Sequence, residues 1–237
     1  MTPRRAARGF SPRSKDPERR LKHCAAFVCR FAHLGTGLSL FPFVALLALA
    51  VLSVPANAAA QESWVTVASA PGSFELVADG RAATLVVSPA DGKVVSVAAD
   101  HLATDIECVT GVRPETTATP FRESGSLVLI GTLGRAPLID RLVTSGQLDV
   151  HELEGAWESF VITTLSEPFP GVPQALVIVG SDRRGTAFGV FELSQAIGVS
   201  PWHWWADVAP EKRPALFVSA GTRRFGPPSV KFRGTFS

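Results

Sequence analysis

Across residues 61–237 the apolar positions switch between short β-like runs and stretches of helical period. Residues 74–77 (FELV) and 83–87 (ATLVV) are short apolar runs that predict two strands punctuated by Gly80-Arg81, the second being the more β-branched. Ser88-Pro89-Ala90-Asp91-Gly92 breaks the chain. Val94, Ala98, Leu102, Ile106 and Val109 then recur on one face of a predicted amphipathic helix over 94–110. Gly111 suits its C-terminal cap, and Pro114 prevents continuation. Residues 127–130 (LVLI) are uninterruptedly apolar, the pattern of a strand buried on both faces. A turn at Gly131-Thr132-Leu133-Gly134 precedes a helix over 138–143. Strands over 159–165 (SFVITTL) and 175–179 (ALVIV) follow, joined by a Pro- and Gly-rich connection over 168–173. Ala187, Val190, Phe191 and Ile197 mark a helix within 181–198, with Asp182 placed to cap it and Gly198 to end it. Further strands are predicted at 216–219 and 230–233. Strands and helices therefore intermingle, which predicts an α/β class: a mixed β-sheet with helices packed on one face.

The first 60 residues have a different character. Residues 38–54 (LSLFPFVALLALAVLSV) form an apolar run of seventeen residues behind a basic stretch, and Ala56-Asn57-Ala58-Ala59-Ala60 follows it. That order is what a cleaved secretory signal needs, with cleavage after Ala58 or Ala60. A membrane anchor is the competing reading, because the run approaches bilayer-spanning length, and the Ala-rich end favours the signal. Residues 1–33 hold nine Lys or Arg against two acids, longer than an ordinary signal needs. Arg19-Arg20 fits a twin-arginine signal poorly, and a start codon assigned too far upstream explains the extra length equally well. Three segments are expected: a leader and signal over 1–60, an α/β domain over 61–228, and a short remainder over 229–237. Export to the periplasm or the medium is expected, with no membrane association after signal cleavage.

Removing the leader inverts the charge. The whole chain carries 23 basic and 21 acidic residues, formally +2, whereas residues 61–237 keep 14 basic and 19 acidic, near −5. No basic patch is left for nucleic acid. Cys24 and Cys29 would depart with the signal, leaving Cys108 without an intramolecular partner. Lying between Ile106 and Val109, it reads as a small packing residue rather than a nucleophile.

The densest chemistry lies in Pro201-Trp202-His203-Trp204-Trp205-Ala206-Asp207. Indole rings stack on the C–H faces of sugars, while Trp N–H groups and carboxylates bond hydroxyls. Large aromatic side chains also anchor one domain on another. We take the interdomain role for Trp202, His203, Trp204, Trp205 and Asp207, with room for one indole to line a sugar site. This block resembles the N-terminal region of glycoside hydrolase family 115, the xylan α-1,2-glucuronidases. The resemblance rests on Gly180 to Asp182, Arg184-Gly185-Thr186, and the run from Val199 to Val208. A second anchor, Pro228-Ser229-Val230-Lys231-Phe232-Arg233-Gly234, resembles the strand leading into that family's catalytic barrel. The likeness spans residues 73–234. It implies an accessory domain of mixed sheet and helices preceding a (β/α)8 barrel, and glucuronoxylan or its oligosaccharides as substrate of the full-length enzyme.

Other candidates yield to plainer readings. Gly131-Thr132-Leu133-Gly134 lacks the Lys-Ser/Thr of a phosphate loop and the third glycine of a dinucleotide site. Asp182, Arg183 and Arg184 could hold a sugar carboxylate through guanidinium, but a helix cap with a bracing arginine accounts for Asp182, Arg184 and Gly185 as a structural motif. His101 and His151 have no metal-ligand spacing, and no Ser-His-Asp or Gly-x-Ser-x-Gly pattern occurs. Neither a cofactor nor a metal is expected.

Glycoside hydrolysis needs two carboxyl groups flanking the bond, roughly 6.5–9.5 Å apart when the mechanism inverts, and the resemblance implies inversion. No pair in the sequence stands in a setting that raises one pKa: Glu152 and Glu154 straddle a polar stretch, and Glu192 sits inside a helix. The expectation is an accessory domain of an exported xylan α-1,2-glucuronidase that lacks the catalytic carboxylates and is inactive alone, its barrel beginning where the sequence stops. A stand-alone carbohydrate-binding module built on the tryptophans, or a non-functional gene fragment, are the alternatives.

Overall fold

The computed structural model describes residues 63–119 and 125–231, apart from the side chain of Trp204. The leader and signal therefore lie outside the described residues. So do Phe232, Arg233 and Gly234 of the second anchor.

A buried parallel core organises the chain. Strands β4 (Thr84–Val87), β6 (Leu127–Thr132) and β8 (Val172–Gly180) run parallel, with the short β5 (Thr116–Thr117) at one edge. On the other side β7 (Phe160–Phe169) pairs antiparallel with β8, and β10 (Thr222–Phe225) pairs antiparallel with β7. The order across this sheet is β10-β7-β8-β6-β4-β5. A second, antiparallel sheet of order β1-β9-β2-β3 joins β1 (Val65–Thr66), β9 (Leu216–Val218), β2 (Phe74–Ala78) and β3 (Arg81–Ala82).

Successive strand residues point to opposite faces, and here both faces are covered. Val87, Ile130, Ile178 and Ile162 form one row across four strands, and they pack with helices α1 (Lys93–Thr110) and α3 (Arg183–Ala196) in a first core. Phe74, Leu76, Leu216 and Val218 of the small sheet join that core. Val86, Leu129 and Val177, one step along, face the opposite way into a second core. Helix α2 (Pro137–Thr144) closes it through Ile139 and Leu142. The two long helices thus share one face of the mixed sheet, and the short helix covers the other.

Several predicted details shift. The buried stripe of α1 begins at Val95, fully buried, while Val94 in the first turn is 40% exposed. Phe191, expected to face inward on α3, is 48% exposed. The Pro- and Gly-rich connection over 168–173 is mostly strand: β7 runs to Phe169, β8 resumes at Val172, and only Pro170-Gly171 turns between them. Val230 and Lys231 form no strand, whereas β10 lies at Thr222-Arg223-Arg224-Phe225.

Helix α3 lies close against the sheet because Gly189 has no side chain. A Cβ there would stand 2.8 Å from Ile178 Cγ2 and 2.9 Å from the ring of Phe160. Ile178 is fully buried in a central strand, and Phe160 stacks on Phe225 with ring centroids 4.5 Å apart, so neither can yield freely. Gly189→Val is therefore expected to destabilise the domain by about 1–3 kcal/mol through overpacking, read as a lower urea midpoint with unchanged slope.

Candidate functional site

The turn from Ser181 to Thr186 meets the start of β7 at one end of the large sheet. Asp182 caps α3: its Oδ1 accepts from the N–H groups of Arg184 (2.9 Å) and Gly185 (2.8 Å). Its Oδ2 accepts from the N–H of Glu158 at 2.8 Å, across 24 residues. Partial burial works to raise the Asp182 pKa, but those three N–H groups and the Arg184 charge outweigh it and hold the carboxyl below its ordinary range. Gly185 must lack a side chain, because a Cβ would collide with the carbonyl oxygen of Ser159. Arg184 Nη1 reaches Glu158 Oε1 at 2.9 Å and its guanidinium lies 5.9 Å from the Phe188 ring centroid. Asp182, Arg184 and Gly185 are thus joined in a single junction, with Arg184 turned to a protein carboxylate.

The tryptophan run forms α4 (His203–Ala206), a single turn capped by Trp202 and by Asp207, whose φ of 51° is left-handed. Trp202 is 65% and Trp205 84% exposed. His203 Nδ1 lies 2.9 Å from the carbonyl oxygen of Val208. A carbonyl can only accept, so Nδ1 carries the proton. Asp207 is exposed. Two indoles are therefore presented outward on a short helix whose closing loop is tied by an imidazole.

Between α1, α3 and the chain after α3 lies a groove of about 590 Å³ that the sequence pattern did not reveal. His101 and Asp105 of α1 face Phe191, Glu192 and Ser194 of α3 across it, and Pro201 reaches its rim. Asp105 is only 7% exposed and Ser194 4%. Burial raises the Asp105 pKa, opposed by hydrogen bonding with Ser194 and by the His101 and His203 imidazoles. The Ser194 hydroxyl stands close enough to favour the Asp105 carboxylate, yet it makes no hydrogen bond of good geometry. Burial also raises Glu192. Asp105 and Glu192, both with pKa raised by burial, thus line one groove, whereas the sequence placed Glu192 only inside a helix and did not single out Asp105. Their 87-residue separation hid them, since only the packing of α1 on α3 brings them together. The serine faces the carboxyl rather than an imidazole, so this is not a nucleophile triad.

His151 forms part of an exposed network instead. Its Nδ1 is 2.9 Å from Asp149 Oδ1, and Arg224 Nη2 is 3.0 Å from Asp149 Oδ2. The Asp149 hydrogen bond and charge raise the His151 pKa. No cluster of three or more metal-ligating side chains occurs among the described residues, and no helix among them is long and apolar enough to cross a membrane.

A fold of this kind is found within a solved glycosidase structure. Among solved structures the chain is similar to a family GH115 4-O-methyl-α-glucuronidase with specificity for decorated arabinogalactans. That match is at 27% identity and a TM-score of 0.50, over 60% of this chain and 17% of that one. The likeness is thus to a small part of a much longer enzyme, and it is one of fold. The N-acetyl-β-hexosaminidase of Streptomyces plicatus matches at 17% identity and a TM-score of 0.38, over 66% of this chain and 23% of that one. A GH20 β-N-acetylhexosaminidase from Streptomyces coelicolor matches at 15% and 0.39, over 65% and 24%. No family model matches the sequence, and no curated protein matches it.

Two outcomes are expected. Asp182→Ala should cost about 1–2 kcal/mol as a lost N-cap. Because its folded pKa is depressed, the Asp182 contribution is complete above the unfolded value of about 3.9 and fades as pH falls below it. Chemical denaturation of the two proteins at neutral and acid pH reads the converging midpoints. Asp105 has the opposite sign: its raised pKa penalises the charged folded form. Asp105→Asn should therefore stabilise at neutral pH, with a gain that vanishes below about pH 4, where Asp105 is protonated in both states.

Proposed function

We propose that this chain is the N-terminal α/β domain of an exported glycoside hydrolase that removes 4-O-methyl-glucuronic or glucuronic acid branches from a plant polysaccharide. The observation that supports it most is one conjunction. The Trp202-x-Trp204-Trp205-Ala206-Asp207-Val208 run, on which the family resemblance rests, falls in a domain whose fold resembles a GH115 4-O-methyl-α-glucuronidase at 27% identity. In this reading residues 61–228 are the accessory domain, 229–237 lead toward a catalytic barrel, and that barrel supplies the acid and base. The outward indoles Trp202 and Trp205 dock on it, one of them within reach of sugar. Glucuronoxylan is the substrate proposed, and decorated arabinogalactan is the substrate of the neighbouring enzyme.

The test is to read the DNA on past codon 237, express the full reading frame that encodes this domain, and assay uronic acid release from both polysaccharides. The 237-residue chain alone should release none. The full frame should release 4-O-methyl-glucuronic acid from glucuronoxylan, and activity on neither polymer overturns the proposal. Release from arabinogalactan alone keeps the enzyme class and corrects the substrate.

The exposure of Trp205 also favours a second reading, a carbohydrate-binding module. It predicts retention of the isolated chain on insoluble xylan and loss of retention in Trp205→Ala. An exposed substitution of this kind should change stability by no more than about 0.5 kcal/mol, so lost retention would report the surface and not unfolding.

A further inference from the structure

The groove between α1 and α3 is acidic and aromatic, and among the described residues neither a lysine nor an arginine lines it. Burial disfavours the charge of both Asp105 and Glu192, and among the described residues no Lys or Arg forms an ion pair with either. A carboxylate drawn out of water is unfavourable unless a counter-charge or hydrogen bonds compensate. The groups that face Asp105 are the imidazoles of His101 and His203 and the hydroxyl of Ser194. Ser194 is 96% buried, lines the groove, and its Oγ has no hydrogen-bond partner of good geometry. One end of the groove already shows the complete arrangement: Glu158 is 5% exposed and holds the Arg184 guanidinium at 2.9 Å, with the Phe188 ring beneath it. The rest of the groove offers carboxylates in Asp105 and Glu192 and a ring in Phe191, whose centroid lies 6.4 Å from that of His101, and among the described residues it has no guanidinium.

We infer that this part of the groove receives an arginine side chain presented by a partner segment, its guanidinium on the Asp105 carboxylate beside the Ser194 hydroxyl and its plane against Phe191, with Glu192 adding negative charge to the same groove. Guanidinium suits the position better than ammonium: it pairs with two carboxylate oxygens at once, sheds water more readily, and stacks on an aromatic face. The segment takes the groove's apolar walls, Phe160, Phe225 and Pro201 among them, and continues onto the exposed indole of Trp202. On the function proposed above, the arginine belongs to the catalytic domain that docks on the tryptophan helix.

The test uses the 237-residue chain, isotopically labelled, in two-dimensional NMR at neutral pH. The probe is N-acetyl-arginine amide, and the comparison is its neutral isostere N-acetyl-citrulline amide. The expected result is saturable shifts of resonances in 101–105, 188–195 and 225–228, with a dissociation constant of about 1–10 mM. Citrulline should bind at least about tenfold more weakly, and Asp105→Asn and Glu192→Gln should each weaken the arginine response while leaving the rest of the spectrum folded. Equal shifts from arginine and citrulline would reduce the groove to an apolar slot and overturn the inference, as would no shift from arginine at saturating millimolar probe. Concentration-dependent broadening of the same resonances without probe would seat a second copy there and overturn it too. The sugar-release assay is independent: arginine binding without release keeps the groove and removes the glycosidase reading, and release without arginine binding does the reverse.

Discussion

The first face of the large sheet can be covered only if β8 turns into α3 without a connecting loop, and the Asp182 carboxylate makes that turn possible. One oxygen satisfies two N–H groups of the first helical turn, and the other reaches the N–H of Glu158, just before β7. The end of one strand, the approach to its neighbour and the start of a helix are thereby fixed on one anion. Gly185 lets the helix settle on the Ser159 carbonyl, and the buried Thr186 hydroxyl reaches the Thr132 hydroxyl at the end of β6. Asp91 repeats the device one strand over: its two oxygens accept from Gly92 N–H at the start of α1 and from Thr132 N–H at the end of β6, each at 2.6 Å. The Asp182 anchor, stronger than neutral hydrogen bonds, thus sets where α3 begins, and Asp91 ties the residue before α1 to the end of β6.

With the helix starts fixed, the packing follows from strand alternation. A parallel sheet needs apolar cover on both faces, and the residues divide accordingly: Val128, Ile130, Leu176 and Ile178 turn to α1 and α3, while Leu127, Leu129, Val177 and Val179 turn to the side closed by α2. Once those faces are satisfied, what stays outside has no internal use in the core. Phe191, Trp202, Trp205 and Val208 are all substantially exposed. The two indoles of the tryptophan helix are the largest of these exposed side chains, which is why the function proposed for the domain is one of joining rather than of chemistry.

Much of this was legible in the sequence, and the reason differs by element. The buried strands were readable because their apolar runs are continuous, and the start of α3 because Asp182 stands one residue before it and a cap is local chemistry. Strand β10 was not readable. Thr222-Arg223-Arg224-Phe225 is an edge strand whose residues alternate between exposed and half-buried, so its pairing with β7 is a tertiary fact rather than a hydrophobic pattern. The outward turn of Phe191 was hidden for a similar reason: helical spacing gives a face, and only the neighbours say which residues at the margin of that face remain uncovered. The indoles of the tryptophan run stood out by composition alone. Asp105 did not, because a single acid in an amphipathic helix reads as solvent-facing until α3 is laid against it.

Asp105 also shows what the tryptophan surface requires. Natural domains seldom bury a carboxyl without a partner, since protonating it or replacing it with an apolar residue is less costly. This domain keeps one in the groove rimmed by Pro201, faced by two imidazoles and a serine hydroxyl but, among the described residues, by no lysine or arginine. A second carboxyl stands on the facing helix, and the Ser194 hydroxyl of that helix lacks a hydrogen bond of good geometry. Each of these is unfavourable in isolation, and all three are relieved by the same event, arrival of a donor-rich cation. Polar groups destabilising in the free domain and satisfied in an assembly also discriminate among partners, because a segment without the donors leaves them buried and unpaired. In the proposed interface the tryptophans supply area, which is tolerant of what it meets, and the acidic groove supplies the selectivity that area lacks.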